Sequence, residues 1–245
     1  MIKQFHAKIT YFLQEGQDNL LECLEAAFQA AHNHGIDKIV IFTAKGLGVV
    51  RALDEFCSKS KFAKIKLIAV TFPVGKPFTD AERRPLQIEI SDELRDRFRQ
   101  NGIPILRAHM PFDPITPLHR NRGVLGQDLS LVESALGVFG GSMSLCVQAI
   151  MIACDAGEID RGEHVVALTS DTAIVAQAAP TRYLLSELAI REILCKPAVY
   201  NIGRGEKADE IGTLNGEPMP EGKVLEGQTA PQKDDEEAKN KTLPE

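Results

Sequence analysis

The amino-acid sequence predicts a layered α/β fold built on a mainly parallel sheet. Two observations carry this. The short β-branched runs Lys38 to Thr43 (KIVIFT), Lys66 to Thr71 (KLIAVT) and Val165 to Thr169 are apolar almost throughout, the pattern of strands covered on both faces. Between such runs lie segments whose apolar residues recur at helical spacing, and strands alternating with helices make βαβ units.

The elements follow in order. Ile9 to Leu13 (ITYFL) reads as a short strand ending at Gln14-Glu15-Gly16. Asn19 stands three before Glu22, a capping-box-like helix start. Leu20, Leu24, Ala27, Phe28 and Ala31 then form one apolar helix face, and Gly35 suits its C′ position. After the strand at Lys38 comes Ala44-Lys45-Gly46-Leu47-Gly48, then Val49, Val50, Leu53, Phe56 and Cys57 at helical spacing. The strand at Lys66 runs into a loop, Pro73 to Pro85, rich in Pro, Gly and charge. Ser91-Asp92-Glu93-Leu94 opens a helix with Gly102 near its end. Ile103 to Ala108 is a strand whose Pro104 places it at a strand start or near an edge. Met110 to Gly126 is a long loop, and loops of that length are commonly functional or mobile. Leu129 to Phe139 and Leu145 to Ala156 read as helices joined at Gly140-Gly141. Strands at Val165 to Thr169, Thr172 to Ala176 and Ile190 to Cys195 close the pattern.

The 245 residues suffice for a core without staples, and a net charge of −6 argues against a broad nucleic-acid footprint. No run of 18 apolar residues suggests a membrane span, and Met1 to Thr10 lacks the apolar core of a secretory signal. Five widely spaced cysteines with no CxxC fit reduced cytoplasmic thiols, not a disulfide framework or zinc site. His32 and His34, two apart on a helix, are poor joint ligands, and no metal is expected. Charge concentrates at the end: residues 203–245 hold 11 acidic and 6 basic residues, six glycines and no aromatic. The expected organisation is therefore an α/β domain over 1–202 and a disordered acidic tail over 203–245.

Candidate site residues cluster at predicted strand ends, where ligands of open α/β sheets bind. Thr43-Ala44-Lys45-Gly46 joins a buried strand to a helix, and small residues there let backbone N–H groups approach an anion. It is neither a dinucleotide fingerprint, since Arg51 stands where the third glycine belongs, nor a Walker A loop. An ordinary βα turn is the alternative. Gly75 and Lys76 end a second strand. Ser170, Asp171 and Thr172 follow a third, where hydroxyls can surround a phosphate or simply close a hairpin by Asx and ST turns. His109 is a weak acid–base candidate in the same region, with a surface role as its alternative. Asp155 and Glu158 read as a solvated helix end.

In order, Tyr11-Phe12 with Asn19, Ile39 to Val50, Thr71 to Gly75, Cys146 to Ile159, Val165-Val166-Ala167, Asp171-Thr172-Ala173 and Ile193 to Pro197 resemble stand-alone proteins similar to the pyruvate kinase C-terminal α/β domain. The resemblance covers most of residues 9–197. It implies a three-layer α/β/α domain with a mostly parallel central sheet. In pyruvate kinase that domain is regulatory and binds a phosphorylated effector, while catalysis belongs to a separate barrel of about 200–250 residues, for which this chain has no room. The resemblance therefore implies no pyruvate kinase activity, and a flavin mononucleotide (FMN) or similar phosphorylated ligand. The chain departs from it at Thr169-Ser170, which runs straight into Asp171-Thr172-Ala173 without the longer Gly/Arg loop of such relatives.

The resulting expectation is a cytoplasmic protein binding a small phosphorylated metabolite or nucleotide, FMN among the cofactor candidates. Lys45 and Lys76 would supply charge, Gly46 and Gly75 backbone access, and Thr43, Ser170, Asp171 and Thr172 polar contacts. Two alternatives stay open: a flavin-dependent enzyme or one acting on a phosphorylated substrate, with His109 as acid–base group; and a structural or regulatory subunit with no small ligand. A homo-oligomer fits each of them.

Overall fold

The computed structural model describes residues 7–76, 78, 83–86, 88–113, 129–198, 213–214 and 217–218. The chain divides into two units, Met1–Arg204 and Gly205–Glu245. In the first, seven strands form one sheet: β1 (Thr10–Phe12), β2 (Lys38–Phe42), β3 (Lys66–Thr71), β4 (Ile105–Arg107), β5 (His164–Leu168), β6 (Ala173–Gln177) and β7 (Ala189–Pro197). Their order is β1-β7-β6-β5-β2-β3-β4. Only β6 runs against its neighbours; β1 with β7, β5 with β2, β2 with β3 and β3 with β4 pair in parallel.

The helices are α1 (Leu20–His34), α2 (Leu47–Ala52), α3 (Asp92–Gln100), α4 (Ser130–Gly137), α5 (Met143–Asp155) and α6 (Leu184–Glu187). Strand periodicity divides the core between two helical layers. Ile39, Ile41, Leu67, Ala69, Val166 and Leu168 point to the side of α1 and α2. Val40, Phe42, Ile68, Val70, Val165 and Ala167 point to the side of α5. Burial on both faces explains the uninterrupted apolar strands, and the result is a three-layer α/β/α unit. On the first side Phe28 stacks on Phe56 at 4.8 Å and tilts against Phe62 at 5.2 Å. On the other, Val147, Ile150 and Met151 of α5 recur at i, i+3 and i+4 and are buried, whereas Cys154 at i+7 is half-buried.

Several local signals form as expected. Gly35 ends α1 in the left-handed region, with the Ile36 N–H on the Ala31 carbonyl at 2.8 Å. The Ser91 hydroxyl accepts from the Leu94 N–H at 3.3 Å and caps α3. Pro104 precedes edge strand β4, where its missing N–H costs nothing and its carbonyl still accepts from Ala69 at 2.9 Å.

Others differ. Asn19 makes no side-chain cap; it donates to the Gln14 carbonyl at 2.8 Å, closing the loop after β1. The helix after Gly46 passes at Leu53–Cys57 into a π-helical turn. Asp155 is not merely solvated at a helix end: its carboxylate accepts from the Thr181 N–H at 3.1 Å and hydroxyl at 2.5 Å, securing the segment before α6. The loop expected over 110–126 lies outside the described residues from 114 onward. So does the expected tail, 203–245, except for the antiparallel pair Thr213–Leu214 and Glu217–Pro218. Among the described residues no helix is long and apolar enough to cross a membrane.

Candidate functional site

The candidate residues all lie along one edge of the sheet. Parallel pairing sends the chain out of β2, β3, β4 and β5 in the same direction, so the loops after these strands share the carboxyl edge. Register then sets which residues are neighbours. Ile41 lies opposite Leu168, the last residue of β5, so the loop after β2 and the β5–β6 turn leave the sheet from adjacent strands. Phe42 lies opposite Val70, which brings Thr43 beside Thr71, itself opposite Arg107.

Thr169 to Thr172 is a hairpin turn between antiparallel β5 and β6, closed by the Thr169 N–H on the Thr172 carbonyl at 2.9 Å. Asp171 points inward from it and is 4% exposed. Its carboxylate accepts from the Gly16 N–H at 3.1 Å, the Thr172 hydroxyl at 3.0 Å and the Thr169 hydroxyl at 3.4 Å. Thr172 Oγ1 in turn accepts from the Ser142 N–H at 3.0 Å. One carboxylate thus ties the loop after β1 and the start of α5 to the turn. A buried charge supplied with such donors is stabilised where it sits. Asp171 and Thr172 spend their polar atoms inside the protein; Ser170 is half-buried and its hydroxyl has no partner among the described residues.

The β2 loop divides similarly. The Gly46 N–H donates to Thr43 Oγ1 at 3.1 Å, so neither buried group faces outward. Gly46 has φ 89°, and a Cβ there would stand 3.2 Å from Phe98 and 3.3 Å from Leu94, so α3 packing accounts for the glycine. Lys45 is exposed and makes no ion pair among the described residues. Lys76, by contrast, reaches Asp113 at 2.6 Å and lies 5.3 Å from the Phe72 ring centre. His109 Nε2 is 2.9 Å from the Asp113 carbonyl oxygen. Asp113 therefore stitches the loops after β3 and β4 together, with Lys76 and His109 both engaged on it. Gly75 lies in open space at the tip of its loop.

Sequence reasoning missed Glu15, Gly141, Ser142 and Gln148. Gln148 is a buried polar residue on α5 whose Oε1 accepts from the Phe112 N–H at 3.0 Å, docking the loop after β4. A lone Gln in an apolar helix was the available signal. Glu15 stands near Asp171: partial burial and that negative charge push its carboxyl above the ordinary glutamate value, against the Gly141 N–H, which lowers it. A carboxyl raised in the folded state contributes stability that is full below its unfolded value and falls as pH climbs through the raised one. Glu15→Gln keeps the acceptor and removes the charge. Its thermal midpoint is expected above that of the wild type at neutral pH, with the gap closing below about pH 4. A gap that ignores pH would show that Glu15 does not feel Asp171.

A cleft of about 560 Å³ lies elsewhere, at the amino ends of β2 and β5, lined by His34, Asp37, Glu163, His164, Arg191 and Glu192 among others. None of the candidate site residues at the carboxyl edge lines it. Two of its carboxylates are engaged, Glu192 on His34 at 3.0 Å and Glu163 on Lys38 at 2.9 Å.

No family model matches the chain. Among solved structures it is similar to a Cryptosporidium parvum pyruvate kinase at 12% identity and a TM-score of 0.32, over 68% of this chain and 24% of that one. It is similar to a second pyruvate kinase structure from the same organism at 11% identity and a TM-score of 0.32, over 66% and 23%. The chain spans about a quarter of the length of these proteins. The resemblance is to a pyruvate-kinase-like α/β fold and to no particular family. The architecture itself rests on the strand order and register given above.

Proposed function

We propose that the protein binds a small phosphorylated metabolite or nucleotide at the carboxyl edge, between the loop after β2 and the β5–β6 turn. The observation that supports this reading is the parallel pairing of β2 with β5, Ile41 opposite Leu168, which sends the loop carrying Lys45 and the turn carrying Ser170 out of adjacent strands. Lys45 offers an uncommitted charge and Ser170 an uncommitted hydroxyl, a suitable pair for a phosphate. Five free thiols suit a reducing, cytoplasmic setting.

The test is calorimetric titration of the full chain with FMN and a panel of sugar phosphates, with native mass spectrometry to report retained ligand and copy number. Lys45→Ala is expected to weaken binding by about 1–3 kcal/mol, the scale of a charge-assisted hydrogen bond. Lys76→Ala is expected to change it little, because that charge is spent on Asp113. Equal affinity of wild type and Lys45→Ala would move the ligand away from this loop.

A further inference from the structure

Three of the five cysteines gather beneath the β5–β6 turn. Cys23, in the first turn of α1, and Cys195, near the end of β7, are both fully buried, with sulfurs 3.4 Å apart. The Cys23 thiol also lies 3.6 Å from the Thr169 carbonyl oxygen, and the Cys146 thiol 3.5 Å from that of Thr172. Cys57 and Cys154 are half-buried; Cys57 ends the π-helical turn, and Cys154 lies at the far end of α5 from Cys146.

We propose that Cys23 and Cys195 are a modification site: a hydroperoxide converts the pair to a reversible disulfide that fastens α1 to β7. The sulfurs need to close to about 2.05 Å, an approach of roughly 1.4 Å that a small shift of the helix start supplies. The chemistry balances. One thiolate attacks a peroxide oxygen, the O–O bond breaks, and a sulfenic acid forms with release of water or an alcohol. The second thiol displaces water from that sulfur as the S–S bond forms. Two thiols lose two electrons, and the peroxide takes them up. Burial pushes the Cys23 thiol well up, so the reaction waits on opening of the α1 start. The bridge would also remove the S–H that faces the Thr169 carbonyl, linking oxidation to the turn beside Ser170. This inference stands whether or not a phosphorylated ligand binds there.

The experiment treats the full folded chain with hydrogen peroxide, follows far-UV circular dichroism, then unfolds the protein in excess maleimide. The thiol count is expected to fall from five to three, since two of the five cysteines are consumed. Unreduced tryptic digestion is expected to join peptides 9–38 and 192–204, which carry Cys23 and Cys195 alone, with a loss of about 2 Da. Dithiothreitol should restore five thiols. Cys23→Ser and Cys195→Ser, made separately, should each abolish the joined peptide. Recovery of Cys23 and Cys195 as free thiols while Cys57 and Cys154 are oxidised would overturn the proposal. So would a bridge to Cys146, or a joined peptide that appears only after the dichroism of the folded state is lost.

Discussion

Ile150→Asp is expected to unfold most of the protein at pH 7. Ile150 lies in the middle of α5, fully buried, in the core between that helix and the sheet. The substitution forfeits about 2 kcal/mol of apolar burial. The new carboxyl, with no partner in that core, must stay protonated, and holding it neutral three pH units above its ordinary value costs about 4 kcal/mol. Their sum is comparable to the whole stability of an ordinary domain, about 5–15 kcal/mol. Ile150→Val, which leaves a small void, should cost only about 1 kcal/mol. Urea denaturation of the two variants decides the matter; similar midpoints would mean that this face of α5 is open to water.

Gly141→Val is expected to cost about 3–5 kcal/mol, as the sum of three effects. Gly141 has φ 62°, a conformation costing a side-chain-bearing residue about 1–2 kcal/mol. A Cβ there would stand 2.5 Å from Thr172 Oγ1 and 2.7 Å from Pro197 Cδ, so both contacts must give way. Moving Thr172 breaks the relay from the Ser142 N–H through the threonine hydroxyl to Asp171, at about 1 kcal/mol per bond. Gly157 separates these effects. Its φ is 78°, and nothing lies within 4 Å of a Cβ built on it. Gly157→Val should therefore show the backbone cost alone. Equal urea midpoints for the two variants would show that the relay carries no weight.

The layered architecture was legible because strands buried on both faces cannot alternate polar and apolar residues, and β2, β3 and β5 do not. The reversed direction of β6 was legible only through the turn, as the hairpin reading of Thr169–Thr172, which the antiparallel pairing bears out. Its segment, AIVAQ, is as apolar as its parallel neighbours, and the Thr169–Thr172 turn lacks the glycine that marks most two-residue hairpins. Asn19 misled for a related reason: the capping-box spacing was present, but the Gln14 carbonyl captured the amide. Residue type reports what a side chain can bond, and tertiary structure chooses among the partners.

The same limit governs the site. Thr43, Lys45, Gly46, Ser170, Asp171 and Thr172 could be gathered at strand ends because α/β topology places loops there. Which of them face outward could not be read. Asp171 is spent on a glycine amide 155 residues away in the sequence, and Lys76 on an aspartate 37 residues ahead. Such long-range partners leave no local trace, and they separate Lys45 and Ser170 from the other polar candidates.

β1 and β7 lie side by side at the sheet edge, Thr10 opposite Cys195 and the Phe12 carbonyl accepting from the Ala198 N–H at 2.7 Å. The consequence is one of timing. As the polypeptide leaves the ribosome, β1 emerges before every other strand, yet its sheet neighbour is the last of the seven to be made. Bridging so long an interval adds modestly to the equilibrium entropy cost, which grows only with the logarithm of loop length. It weighs more on the rate, because non-local pairings are the slow ones to find. The edge where β1 docks is therefore among the last parts of the nascent sheet to close, and until it does β7 presents an open row of backbone donors and acceptors to any passing strand.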